Sequence, residues 1–168
     1  ILAKFHLLSE IDWHAERMLV DLTARVPLDV FNMFAARFER EEQGAPEGGA
    51  YEALPFTLER LAPALRTHTD AALLRLAAQA PTRPWFRRFT GAALIAKLNA
   101  EWNAEFEATL WRFYENGDAN QRNFVLEVLA NYEGGAIVLN LLRRIVATLT
   151  TDDETLFSGA RQVVYESG

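Results

Sequence analysis

Apolar residues recur along this chain at helical spacing, and no stretch alternates long enough to predict a strand. From Asp12, the residues Ala15, Met18, Leu19, Leu22 and Val26 form one stripe opposite His14, Arg17, Asp21 and Arg25, which predicts a first helix. Pro27, suited to a first helical position, opens a second helix that points Val30, Phe34 and Phe38 inward. The acidic, glycine-rich "EREEQGAPEGGAYE" follows, and residues 43–50 read as a flexible loop. Leu54, Leu58, Leu61 and Leu65 predict a helix that Pro63 should bend or end near Glu59 to Ala62. Thr69 and Asp70 open its short partner, which is expected to reach Ala80.

The second half continues in the same way. In "PTRPWFRRFTG", Pro84 fits a first helical position, with Trp85, Phe86, Phe89, Ala93 and Ala96 as the buried face. Asn103 should cap a helix with Phe106, Leu110 and Phe113 inward. Asp118 should cap the next, completing a capping box with Gln121. There Asn120, Asn123, Glu127 and Asn131 form a polar stripe opposite Val125, Val128, Leu129 and Tyr132. Residues 136–149 predict its partner. A second capping box, Thr151 with Glu154, opens a last helix carrying Leu156, Ala160 and Val163, a face with no following helix to cover it. The fold class is all-α.

These helices fall into pairs whose second members start near residues 28, 70, 103 and 136, spaced 42, 33 and 33 apart. The acidic loop accounts for the longest interval. Laid without gaps over "FVLEVLANYEGGAIVLNLLR" from Phe124, the segment "MLVDLTARVPLDVFNMFAAR" from Met18 matches apolar to apolar at most positions. Asp21 then meets Glu127, Ala24 meets Ala130 and Arg37 meets Arg143, at an offset of 106. Such spacing marks helical-hairpin repeats.

In its prolines at helix starts, its interrupted helix at Pro63 and its paired helices, the chain resembles the HEAT/armadillo class of α-solenoids over residues 12–168. That resemblance implies stacked antiparallel helical hairpins, about four of them plus a terminal half-unit, in a single repeat domain over 1–168. No Asp/Arg ladder recurs at one repeat position, and the Trp-x-x-Leu-Gly signature of tetratricopeptide repeats is absent. The resemblance also implies a scaffold or sensor that binds protein partners or other domains of a longer chain. "ILAKFHLLSE" at the start reads as a cut within such a chain.

Charge narrows the range of partners. The chain has 17 basic and 23 acidic residues, and the excess of acids is spread evenly between its halves. Nucleic-acid affinity rests on neutralised phosphates, so this balance makes nucleic acid an unfavourable partner. Absence of cysteine and of any Asn-x-Ser/Thr acceptor suits a cytoplasmic setting. The best apolar run, 136–149, is broken by Asn140, Arg143 and Arg144, so no membrane span is expected.

Little in the sequence has the spacing of catalytic chemistry. His6 and His14 stand four residues from Glu10, but His68 lies far along the chain and no third ligand converges, so no metal and no cofactor are expected. Ser9, Ser158 and Ser167 lack a nucleophile elbow, and the glycines lack a phosphate-loop context. Asp12, Trp13 and Trp102 are the residue types used by HEAT-like DNA glycosylases, an activity that the charge balance argues against. No catalytic residue is assigned. Arg83, Arg87 and Arg88 surround the start of the helix at Pro84 and make an alternative anion or nucleic-acid site, weighed against simple pairing with Glu52 or Glu59. If the second helices line the concave face of an array, its partner-binding residues are Asn32, Arg75, Trp111, Arg112, Asn140, Arg143 and Arg144. Trp111 lies off its helix's apolar stripe. It is expected to pack between units or to stand partly exposed.

Overall fold

A computed structural model of the chain describes residues 2–43, 51–54, 58–78, 86–132 and 137–166. All regular structure among them is helical: α1 (Leu2–Phe5), α2 (Trp13–Thr23), α3 (Pro27–Gln43), α4 (Leu61–Arg66), α5 (Thr69–Ala78), α6 (Phe86–Leu98), α7 (Ala104–Asn116), α8 (Ala119–Ala130), α9 (Leu139–Val146) and α10 (Glu154–Glu166). Of the expected loop at 43–50, Gln43 is instead the last residue of α3, and 44–50 lie outside the described residues, as do Pro84 and Trp85.

Side-chain caps start several of these helices. Each satisfies an amide that has no partner in the first turn. Asp12 Oδ1 accepts from the Ala15 amide at 2.8 Å, and Asn103 Oδ1 accepts from Phe106 at 2.9 Å. Asp118 and Gln121 form the expected reciprocal box, with bonds of 2.9 and 2.8 Å. The second expected box is shifted. Glu154 is the first residue of α10, so the position before it belongs to Asp153, whose carboxylate accepts from the Thr150 amide and hydroxyl. Those bonds hold the Asp153 carboxyl below its ordinary range.

Pro63 also acts differently from its expected role. It neither bends nor ends a helix, because α4 begins at Leu61 and puts Pro63 in its first turn. First-turn residues have no intrahelical acceptor for their N–H, so a proline loses nothing there.

Packing follows a regular order. α2 lies against α4, α4 against α6, α6 against α8 and α8 against α10. Alongside them, α3 packs on α5 and α5 on α7. The two sets meet where α2 touches α3, α5 touches α6, α7 touches α8 and α9 touches α10. One continuous cluster of buried apolar side chains runs from Phe5 to Val163. Val30, Phe34 and Phe38 are inward as the periodicity predicts, and so are Leu61, Leu65, Phe106 and Leu110.

Four faces depart from the periodic pattern. On α2, Met18 is 44% exposed while Glu16 and Thr23 are buried. On α7, Tyr114 takes the place expected of Phe113, which is half-buried. Helix α8 does not separate into an apolar and a polar face: it touches α5, α6, α7 and α10, and Asn123 is buried along with Phe124, Val125, Leu126, Val128 and Leu129. Asn123 Nδ2 donates to Glu127 Oε1 at 3.0 Å, which lets part of the polar stripe go inside. The last helix is not left with an open apolar face, because Leu156, Ala160 and Val163 are buried and α10 packs against α8. Its outward apolar residues are instead Phe157 and Val164.

Gly159 permits that close approach. A Cβ there would stand 3.0 Å from Leu126 Cδ1 and 3.2 Å from Asn123 Oδ1. Gly159→Leu is therefore expected to force α10 away from α8 and cost about 1–3 kcal/mol, seen as a lower midpoint in thermal unfolding. An unchanged midpoint would mean that this seam is not tightly packed.

A buried arginine closes the N-terminal end. Arg37 on α3 has no exposed surface. Its Nε donates to Ala53 O, and Nη1 donates to Phe5 O and Leu8 O, each at 2.8 Å. Nη2 donates to Glu52 O. The Tyr51 ring lies 4.9 Å from its guanidinium carbon, and the Tyr51 hydroxyl donates to His6 O at 2.7 Å. Burial lowers the Arg37 pKa from its ordinary value. This one side chain holds the end of α1 and residues 51–54 against α3.

Candidate functional site

The expected partner-binding residues lie on α3, α5, α7 and α9, and the structure brings two of them into contact. In α7, helical periodicity directs Phe106, Leu110 and Tyr114 inward and leaves Trp111 half-buried. In α9, Leu141, Leu142 and Ile145 are buried, which places Asn140, Arg143 and Arg144 outward. The guanidinium carbon of Arg144 lies 3.7 Å from the centre of the Trp111 ring. Trp111 in turn stacks on Tyr114, with centroids 5.8 Å apart and planes at 26°.

The layer continues beneath. Arg122 of α8 has its guanidinium carbon 5.6 Å from the Tyr114 ring, and its Nε donates to Tyr114 O at 3.3 Å. The Tyr114 and Thr148 hydroxyls are 3.3 Å apart. An aromatic pair is thus held between two arginines, with Trp111 and Arg144 on the outer side. Cation–π contact suits such a pair, since the tryptophan face attracts the cation while the guanidinium edge stays open to other acceptors. No carboxylate pairs with Arg143 or Arg144 among the described residues.

The remaining expected residues are spread along the same helices. Arg112 leaves the Trp111 layer for Asp70 of α5, at 2.9 and 3.2 Å. With side chains 59% and 72% exposed, this bridge adds little stability. Arg75 stands exposed on α5. Asn32 is half-buried and lines an apolar groove of about 690 Å³ with Leu2, His6, Leu22 and Met33. Arg83 and the side chains of Arg87 and Arg88, the alternative anion site, lie outside the described residues.

No protein-family model, curated protein or solved structure matches the chain.

A second concavity is occupied by structural work. A polar cleft of about 350 Å³ is lined by Arg66, Thr67, Thr69, Asp70, Asn99 and Asn103 among others. Several of its groups serve as caps: Arg66 Nε donates to Leu98 O at 2.6 Å, Thr69 Oγ1 to Arg66 O at 2.8 Å, and Asn103 caps α7. Next to it, the Tyr132 hydroxyl donates to Asn99 O at 2.7 Å, and burial pushes its pKa well above the ordinary value. Asp12 is engaged as a helix cap, and Trp13 lies 48% exposed with the guanidinium carbons of Arg17 and Arg60 at 6.0 and 5.2 Å. Trp102 packs on Phe106 and Tyr132 and donates to Glu107 at 3.0 Å. Among the described residues, no three His, Asp or Glu side chains gather as a metal would require, and no helix is long and apolar enough to cross a membrane.

Sequence reasoning missed two parts of this arrangement. Tyr114 and Arg122 complete the aromatic layer, yet both were hidden by reading their helices as simple two-faced stripes. The overlay paired Arg37 with Arg143, whereas one is fully buried and the other exposed. An arginine inside the apolar run Val30 to Phe38 was the available signal for the buried one.

Proposed function

We propose that this chain is a non-catalytic α-solenoid segment of the HEAT-like kind, acting as a scaffold or sensor that binds a protein partner. The order of packing supports that reading: alternate helices lie side by side from α2 to α10, and their partners do so from α3 to α7. Each hairpin then covers the apolar side of its neighbour, as a repeat array requires. Row continuity from α7 to α9 is supplied by Arg144 over Trp111.

That contact is also the observation on which the binding role rests. Tryptophan and arginine are the side chains that most often anchor interfaces. Here they stand together, half-exposed, and no carboxylate among the described residues satisfies the arginine.

Affinity capture with the immobilised chain tests the proposal. A partner held by the wild-type chain should be lost with Trp111→Ala and with Arg144→Ala, and kept by Arg25→Ala in the turn between α2 and α3. Arg144→Ala and Arg25→Ala should keep the wild-type melting curve, because both side chains are exposed, whereas Trp111→Ala, which removes a ring packed on the core, should lower the midpoint but leave a cooperative transition. A partner that survives Trp111→Ala and Arg144→Ala would move the interface elsewhere and end this reading of the α7–α9 face.

A further inference from the structure

We infer that the α7–α9 face recognises an acidic peptide segment, with carboxylates on Arg143 and Arg144 and an apolar side chain against Trp111. This rests on the protein-binding reading above and adds the chemistry of the partner.

Charge complementarity carries the argument. The chain has six more acidic than basic residues, yet α9 turns two adjacent arginines outward with no carboxylate on either among the described residues. Arg112, on the neighbouring helix, has found one in Asp70 at 2.9 Å. A pair left open in this way, one of them held over an aromatic ring, is available to an external acid. Arg144 is also pre-organised. Its guanidinium is held over the Trp111 ring at 3.7 Å, so less side-chain freedom is lost when its donors engage a carboxylate. The site offers apolar contact beside the charges: Trp111 is half-buried, and Val146 is 43% exposed within one turn of Arg143.

A nucleic acid fits this face less well. Glu115 follows Trp111 by one helical turn and is exposed, and Asp152 and Glu154 are exposed at the start of α10. A polyphosphate running past Arg143 and Arg144 would meet the field of these acids and of the whole negative chain. A peptide can place two or three carboxylates locally and avoid them.

The test uses fluorescence anisotropy with the whole chain. Its probe is a fluorescein-labelled peptide of alternating Glu and Leu, with a Gln/Leu analogue and a single-stranded oligonucleotide as comparisons. The Glu/Leu peptide should bind, the Gln/Leu analogue should not, and affinity should fall as salt is raised. Arg143→Gln/Arg144→Gln should weaken binding by at least about tenfold. Trp111→Ala should weaken it comparably while Trp111→Phe keeps most of it, and Arg25→Gln should leave it unchanged.

Equal affinity for the Gln/Leu analogue would overturn the inference, as would a change under about twofold in the double variant. Tighter binding of the oligonucleotide would replace the peptide with nucleic acid as the ligand. The two proposals can fail separately. A captured partner that depends on Trp111 and Arg144, beside a peptide that does not bind, keeps the scaffold and discards the acidic ligand. Arginine-dependent peptide binding without any captured partner does the reverse.

Discussion

Arg37→Met is expected to lower the unfolding free energy by about 3–5 kcal/mol, one of the two largest losses from any single substitution proposed for this chain. The side chain is fully buried, and its guanidinium donates to the carbonyls of Phe5, Leu8, Glu52 and Ala53. Methionine has similar length and apolar surface, so the variant removes the donors while keeping much of the packing. Four carbonyls would then lose the same partner at once. Water can reach some of them only if α1 and residues 51–54 leave α3, which gives the experiment its second signature. Urea denaturation should show a lower midpoint, and limited proteolysis should cut first near residues 1–10 or 51–54. Arg37→Lys should recover less than half of the loss, since an ammonium cannot span donors to carbonyls on two separate segments. A loss below about 1 kcal/mol for Arg37→Met would show that those carbonyls are readily hydrated and that the staple is not needed.

Phe124→Ala should cost as much, about 3–5 kcal/mol. Phe124 is completely buried on α8, the helix in contact with α5, α6, α7 and α10, and its ring faces Gly91 of α6 across a close helix–helix approach. Truncation leaves a cavity where neighbouring helices have the least freedom to collapse. Far-UV circular dichroism and tryptophan fluorescence should report the same lowered midpoint, because α8 packs on helices before and after it in the chain. If the two probes separate, with fluorescence unchanged, the helices on either side of α8 unfold independently. A small loss with coincident midpoints would instead mean that α8 is not the centre of the packing.

Much of the helical architecture was legible along the chain because helix formation leaves local marks. Asn103, Asp118 and Gln121 announce their helix starts through amides only three residues away. Val30, Phe34 and Phe38 repeat at the period that buries one face. Local marks fail where a helix has neighbours on several sides. Periodicity assigns α8 one apolar face, whereas contact with four helices buries Asn123 and Leu126 as well as the predicted residues. The same holds for α10: its stripe suggested an uncovered face, but α8 covers it at the place where Gly159 lets the backbones approach.

The candidate site divides along the same line. Trp111, Arg143 and Arg144 could be nominated from residue type and from their place on second helices. That Arg144 reaches back to lie on Trp111 could not, since the two are 33 positions apart and the register between α7 and α9 is set by packing. Arg112 was nominated on the same grounds, and an acid on α5 takes it away.

By itself, the sequence determined that this protein is helical, where several of its helices begin, and that its overall charge is negative. These follow from interactions within a turn or two of chain and from composition, which no tertiary arrangement can alter. Only the tertiary structure decided which arginine is buried against carbonyls, which is paired with an acid and which lies open on an aromatic ring. A side chain's environment is fixed by segments far away in sequence, and identical residue types acquire different chemistry from the neighbours that packing supplies.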